Sequence, residues 1–136
     1  MPFELYSWTP PDGVEVLIAH LSPLGHVTDE RRTNDPLPSW VVRRIGGPFD
    51  GLTDHGWYSV HSFGRTDAEA AAADALAHRR LMVLDRGPVP VTISTGTVYI
   101  DGITRHEGPE DVQWVADRSI VRLVSTYQVD IRIVAA

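Results

Sequence analysis

The stretch "WYSVHSFGRTDAEAAAADALAHRRLMVL", residues 57–84, decides the architecture. Its first seven residues alternate, with Trp57, Ser59, His61 and Phe63 on one side of an extended chain and Tyr58, Val60 and Ser62 on the other. Such β-branched and aromatic residues suit a pleated, half-buried surface. Gly64 ends the alternation. Thr66 is a strong N-cap with Glu69 as its capping-box partner, and Asp67 adds negative charge to the first turn, where the helix dipole favours it. The pattern predicts a helix from there to near Asp85. At helical periodicity Ala68, Ala72, Ala75, Leu76 and Val83 form one stripe, expected to be the buried one, and Asp67, Asp74 and His78 lie well away from it. Small side chains let a helix axis come close to a sheet, so this strand and helix imply a thin two-layer unit.

Upstream, "PPDGVEVLIAHLSPLG" predicts a short amphipathic helix. Asp12 caps it, Glu15 completes a capping box, Val14, Leu17, Ile18 and Leu21 recur at helical spacing, and Pro23 and Gly25 stop it. A polar loop over residues 28–39 follows, flanked by strand at Val27. A β-rich run from Trp40 to Ile45 ends at Gly46-Gly47-Pro48, and an acidic loop spans residues 46–56. Downstream of the long helix the chain is strand-rich. "VPVTIST" is followed by "TVYIDGIT", whose Asp101-Gly102 is a favoured hairpin dipeptide, and then by a short strand in "EDVQWVA". The last run, "SIVRLVSTYQVDIRIV", puts Val121, Leu123, Ser125, Tyr127, Val129, Ile131 and Ile133 on one face, and Arg122, Thr126, Gln128, Asp130 and Arg132 on the other. About fifteen residues exceeds the usual strand, so it is expected to bend or to run beyond its own sheet. The expected class is α+β, a mainly antiparallel sheet of four to six strands with two helices packed on one face, in a single domain over residues 1–136.

Bulk properties narrow the chemistry. A formal charge of −6 offers no broad basic field for nucleic acid or anionic lipid. There is no cysteine, which removes disulfides, thiolate metal sites and thiol nucleophiles. The N-terminus lacks the basic start and apolar run of a signal peptide, and no stretch has the length of a membrane span, so a soluble protein used without export is expected. No two histidines have the spacing of the helical zinc motif, and His26, His55 and His106 are expected in loops, with His20 and His78 on helix surfaces. No Gly-x-Ser-x-Gly elbow is present. No catalytic residue, metal or cofactor is therefore expected. The pairs Arg31-Arg32, Arg43-Arg44 and Arg79-Arg80 could touch phosphates or a partner's carboxylates, though solvated surface charge is their plainer reading.

In order and spacing, the strand turning through Phe63-Gly64, the capped Ala-rich helix and the terminal "RLVSTYQVDIRIV" resemble the tail terminator proteins of long-tailed bacteriophages, also called tail completion or head-to-tail joining proteins. That family has a strand of the form V-x-V-x-x-F-G, a helix beginning T-x-x-E-A and a last strand carrying Y-x-V-x-x-R. The matching positions here are Val60 to Gly64, which carry the V-x-x-F-G end of the first motif, Thr66 to Ala70 and Tyr127 to Arg132. The resemblance covers about three quarters of the chain and departs from the family in the loops at residues 28–39 and 46–56. It implies a virion structural protein, assembled in the host cytoplasm and placed at the head-proximal end of the tail. There it would form a hexameric ring on the tail tube protein, stop tube polymerisation and meet a head connector or stopper protein. DNA would pass through the ring without sequence-specific binding, and no membrane is involved. A head-to-tail ring needs two different complementary patches per subunit. The residues assigned to subunit or tube contacts are Arg43, Arg44, Asp50, Asp54, Gln128, Asp130 and Arg132. Two other classes stay open: a small α+β enzyme or ligand-binding domain with its pocket near His61, Trp57 and the acidic loop, and a nucleic-acid-binding module using the arginine pairs.

Overall fold

In the computed structural model, which describes residues 12–32, 34–111 and 119–132, the elements run α1 Gly13–Leu21, β1 His26–Thr28, β2 Ser39–Gly46, β3 Thr53–Gly64, α2 Asp67–Met82, β4 Val89–Ile93, β5 Gly96–Asp111 and β6 Val121–Arg132. Short 3-10 turns follow both helices, at Ser22–Leu24 and Val83–Arg86. The strands form one sheet in the order β1-β2-β3-β6-β5-β4. All neighbouring pairs are antiparallel except β1 with β2, so the α+β class holds with a mixed sheet rather than a purely antiparallel one.

Pleating sorts the side chains. Trp40 and Val42 of β2, Tyr58 and Val60 of β3 and Tyr127, Val129 and Ile131 of β6 share the face covered by both helices. There they join Val16, Leu17 and Leu21 of α1 and Ala73, Ala77 and Leu81 of α2 in one core cluster. The Trp40 indole N–H donates to the Ala73 carbonyl at 3.0 Å, which requires the close helix approach that only small residues permit. A Cβ on Gly64 would stand 2.5 Å from the Ala70 nitrogen, so the end of β3 also needs a residue without a side chain.

The buried stripe of α2 is not the expected one. Ala70, Ala73, Asp74, Ala77 and Leu81 face the sheet, while Ala68, Ala72 and Ala75 are exposed, as are Leu76 at 40% and Val83 at 49%. An alanine-rich helix has two faces of similar hydrophobicity, and the larger Leu76 and Val83 favour the wrong one. A distant charge decides between them. Asp74 is buried because Arg105 of β5 donates to its Oδ2 at 3.0 Å, and the Ser125 hydroxyl of β6 donates to its Oδ1 at 2.7 Å. A satisfied carboxylate tolerates burial that an unpaired one does not.

Both helix starts are capped as expected, but neither capping box closes. Thr66 Oγ1 accepts from the Glu69 amide at 3.1 Å, whereas the Glu69 carboxylate reaches the amide of Arg65, one residue before the cap. Asp12 accepts from the amides of Val14 and Glu15, and the Glu15 carboxylate accepts from the Ser94 amide at 2.7 Å, tying α1 to the β4–β5 turn. Thr66→Ala is expected to cost about 1 kcal/mol, read as a lower urea midpoint with an unchanged slope.

Other expectations shift with the sheet. Over the described residues β6 spans Val121–Arg132 and does not overrun its neighbours; Ile133, expected on the same strand, lies outside the described residues. The strand pairs along that length with β3 and from Leu123 to Arg132 with β5, so its length is that of a central strand. The hairpin joining β4 and β5 turns at Ser94-Thr95, and Asp101-Gly102 is instead an irregularity within β5. His26, His55 and His106 lie in strands. The β2–β3 connection shrinks to the residues between Gly46 and Thr53. The expected strand at residues 110–116 appears as far as Asp111, where β5 ends; the rest lies outside the described residues.

Candidate assembly surface

The seven residues assigned to contacts separate onto the two faces of the sheet. Arg44 and Asp54 lie on the helix side. One guanidinium nitrogen of Arg44 donates to Asp54 Oδ2 at 2.5 Å and to the Tyr58 hydroxyl at 3.0 Å, and the other donates to Asp54 Oδ1 at 2.8 Å and to the Gly47 carbonyl at 2.9 Å. Tyr58 donates in turn to Asp54 Oδ2. This fork raises the Arg44 pKa, and burial together with the Asp54 charge holds the Tyr58 phenol far above its ordinary value. Asp54 is 0% exposed, so its side chain acts inside the subunit and is removed from any contact surface. Glycines make room for the group: a Cβ on Gly13 would sit 1.6 Å from the Tyr58 hydroxyl, and one on Gly56 would sit 2.5 Å from the Tyr58 ring. Neither Tyr58 nor Gly13 carries a sequence motif that marks this role.

Asp50, Gln128, Asp130 and Arg132 gather on or beside the opposite face. Asp50 accepts from the backbone amides of Leu52 and Thr53, and its other oxygen accepts from His55 Nε2 at 3.0 Å. His55 Nδ1 donates to Asp130 at 2.8 Å. Both ring nitrogens face carboxylate oxygens, an arrangement that favours the doubly protonated imidazolium. Hydrogen bonds to Asp50 and Asp130 raise its pKa, while the amides of Thr53 and Leu52, with His55, lower that of Asp50 to about 2. Arg132 pairs with Asp101 at 3.3 Å and lies over the Tyr99 ring; Gln128 accepts from His106 Nε2, and His106 packs on Trp57 at 4.1 Å between centroids. Histidine 55, unassigned from sequence, is thus the link between Asp50 and Asp130.

A raised histidine pKa stabilises the fold at low pH. The His55 contribution is fully present below 6.5 and is lost as pH rises through the raised value. The His55 ring is expected to titrate above 6.5 by NMR, and Asp130→Asn is expected to lower that midpoint. A midpoint at or below 6.5 in the parent protein would refute the bridge.

His61 is the opposite case. Burial, then repulsion by Arg122 and Arg43, pushes its pKa down to about 4, so the ring is neutral at pH 7. Its Nε2 lies 3.0 Å from the Ser59 hydroxyl, where a ring with so lowered a pKa is a weak base. The His61 pocket does not include Trp57 or the 46–56 loop. Among the described residues no group of three ligating side chains could hold a metal ion, and no helix is long and apolar enough to cross a membrane. Arg43 is exposed on the open face, and Ile45 at 57% and Leu52 at 56% flank the β2–β3 connection as exposed apolar side chains.

No protein-family model and no curated protein matches the chain. Among solved structures, the fold is similar to that of a chain in the virion of a native gene transfer agent particle. The TM-score is 0.56 at 14% identity, over 95% of this chain and 92% of that one.

Proposed function

We propose that this protein is a non-catalytic structural component of a phage-like virion, and that it acts as a tail terminator, a hexameric ring that caps the tail tube and joins it to the head connector. The observation that carries the virion role is the fold likeness to a virion chain over nearly the whole length of both proteins. The finer role rests on the ordered motifs at Val60–Gly64, Thr66–Ala70 and Tyr127–Arg132, which the fold places on β3, at the start of α2 and on β6. The polar groups agree with an assembly role. Buried ion pairs such as Arg44–Asp54 and Arg105–Asp74 are spent inside the subunit, and exposed apolar side chains remain on the β2–β3 connection and α2. Light scattering with electron microscopy, on the free protein and on protein mixed with tail tubes, is expected to give six-membered rings capping tube ends. Tubes that elongate equally with and without the protein would overturn the tail-terminator role, and its absence from purified particles by mass spectrometry would overturn the virion role.

A further inference from the structure

The β2–β3 connection is held to the sheet in two different ways. Its first half is fixed by groups that do not titrate near neutrality. Arg44 donates to the Gly47 carbonyl at 2.9 Å, the His55 backbone N–H donates to the Pro48 carbonyl at 2.9 Å, and Phe49 bridges to Asp54. This end is also close-packed, since a Cβ on Gly47 would stand 2.1 Å from the His55 carbonyl. The second half is a turn, Asp50 to Thr53, closed on itself. Asp50 Oδ1 accepts from the amides of Leu52 and Thr53, and the Asp50 N–H donates to the Thr53 carbonyl at 3.2 Å. Gly51, at φ +96°, supplies a backbone conformation that other residues rarely adopt. Outward from the turn, the Asp50 carboxylate meets His55 Nε2 at 3.0 Å, and His55 Nδ1 meets Asp130 of β6 at 2.8 Å.

The proton count of the ring governs this chain of contacts. An imidazolium has two N–H donors and can serve both carboxylates, whereas neutral imidazole has one donor and one lone pair, and the lone pair repels whichever carboxylate it faces. The two aspartates are not equivalent. Asp50 already receives two amides, while among the described residues His55 is the side-chain donor to Asp130. The single proton of the neutral ring is therefore better placed on Nδ1, toward Asp130, which turns the Nε2 lone pair on Asp50. Other charged or titratable groups near the ring have different engagements. Arg132, one row along β6, pairs with Asp101 of β5; His106 of β5 packs on Trp57 and donates to Gln128; Arg44 and Asp54 pair on the opposite face. Asp50, lowered to about 2 chiefly by the Thr53 and Leu52 amides, stays ionised when the ring titrates.

We propose that His55 is a proton-operated latch on the Asp50–Thr53 turn: the doubly protonated ring ties the turn to β6 through Asp50 and Asp130, and the neutral ring keeps Asp130 and lets the turn go. The latch is complete at a pH below 6.5 and opens as pH rises through the raised His55 value. Leu52, 56% exposed, has its amide on Asp50, so the latch also sets where an apolar side chain of the surface points. The latch belongs to the single subunit and does not rest on the ring reading.

The absence of cysteine from the chain supplies a test, because Leu52→Cys creates a single attachment point for a nitroxide spin label. Its electron paramagnetic resonance line reports motion of the turn on the nanosecond scale. A slow component is expected at a pH below 6.5 and is lost as pH rises through the His55 midpoint read by NMR. His55→Ala, which retains His106, should show the fast line at every pH. Asp130→Asn removes the competing carboxylate, so the neutral ring should keep its proton on Nε2, toward Asp50, and the slow component should persist. In the unlabelled parent protein, the 15N shifts of the neutral His55 ring should be those of the Nδ1–H form. A line that stays constant while the ring titrates, a pH change that survives His55→Ala, the same change from a label at Leu76→Cys on the exposed face of α2, or a neutral parent ring protonated on Nε2 would each overturn the latch. None of these results would touch the proposed function, which is read from rings and tube capping.

Discussion

Val129→Asp is expected to unfold the protein, while Arg132→Glu, three residues along the same strand, leaves its melting temperature nearly unchanged. Val129 is 0% exposed and lies in the central strand between Gly56 of β3 and Ile103 of β5, on the face under the helices. A carboxylate there has no partner, and burying it unpaired costs several kcal/mol, comparable to the whole stability of a domain this size. Arg132 has an exposed side chain whose ion pair with Asp101 is worth about 0 to 1 kcal/mol. Circular dichroism melts and soluble yield distinguish the two. A Val129→Asp protein that melts within a few degrees of the parent would contradict the placement of β6 at the centre of the core.

Arg44→Ala is expected to destabilise the fold by about 3 kcal/mol, through Asp54 rather than through lost packing. Alanine leaves a fully buried carboxylate with only the Tyr58 hydroxyl as a side-chain partner, and breaking one side of a buried pair is far costlier than removing both. Arg44→Met combined with Asp54→Leu should therefore recover most of the loss. Urea unfolding of the single and double variants measures the coupling directly. Equal, additive losses in the two single variants would show that the pair is a surface feature of little consequence.

The local signals in the chain were legible for a local reason. Capping by Thr66 and Asp12 involves residues two or three apart, and the alternation of residues 57–63 follows from strand geometry alone, so both survive in the folded protein. Errors began where two distant segments had to meet. Asp101-Gly102 has the composition of a hairpin turn, yet it sits within β5 because β6 pairs on both sides of it, Ile131 with Ile100 and Val129 with Ile103. Glu15 has the spacing to close its own helix, but its carboxylate accepts from the Ser94 amide instead.

The same division holds for the candidate surface. From sequence, Arg43, Asp50 and Asp130 are simply charged residues in strands and loops, and nothing in their spacing sets Asp54 apart from Asp50. The register puts one of these two aspartates under the helices against Arg44 and leaves the other at the sheet rim on His55. The chain by itself determined the α+β class, the strand and helix periods and the helix starts, because those depend on interactions within a few residues. Which face of the alanine helix is buried, which carboxylates are internal, and which charges lie on the open face of the sheet were decided only by tertiary structure. These depend on partners brought in by pairing across the sheet, such as Arg105 for Asp74, Asp130 for His55 or Arg44 for Asp54.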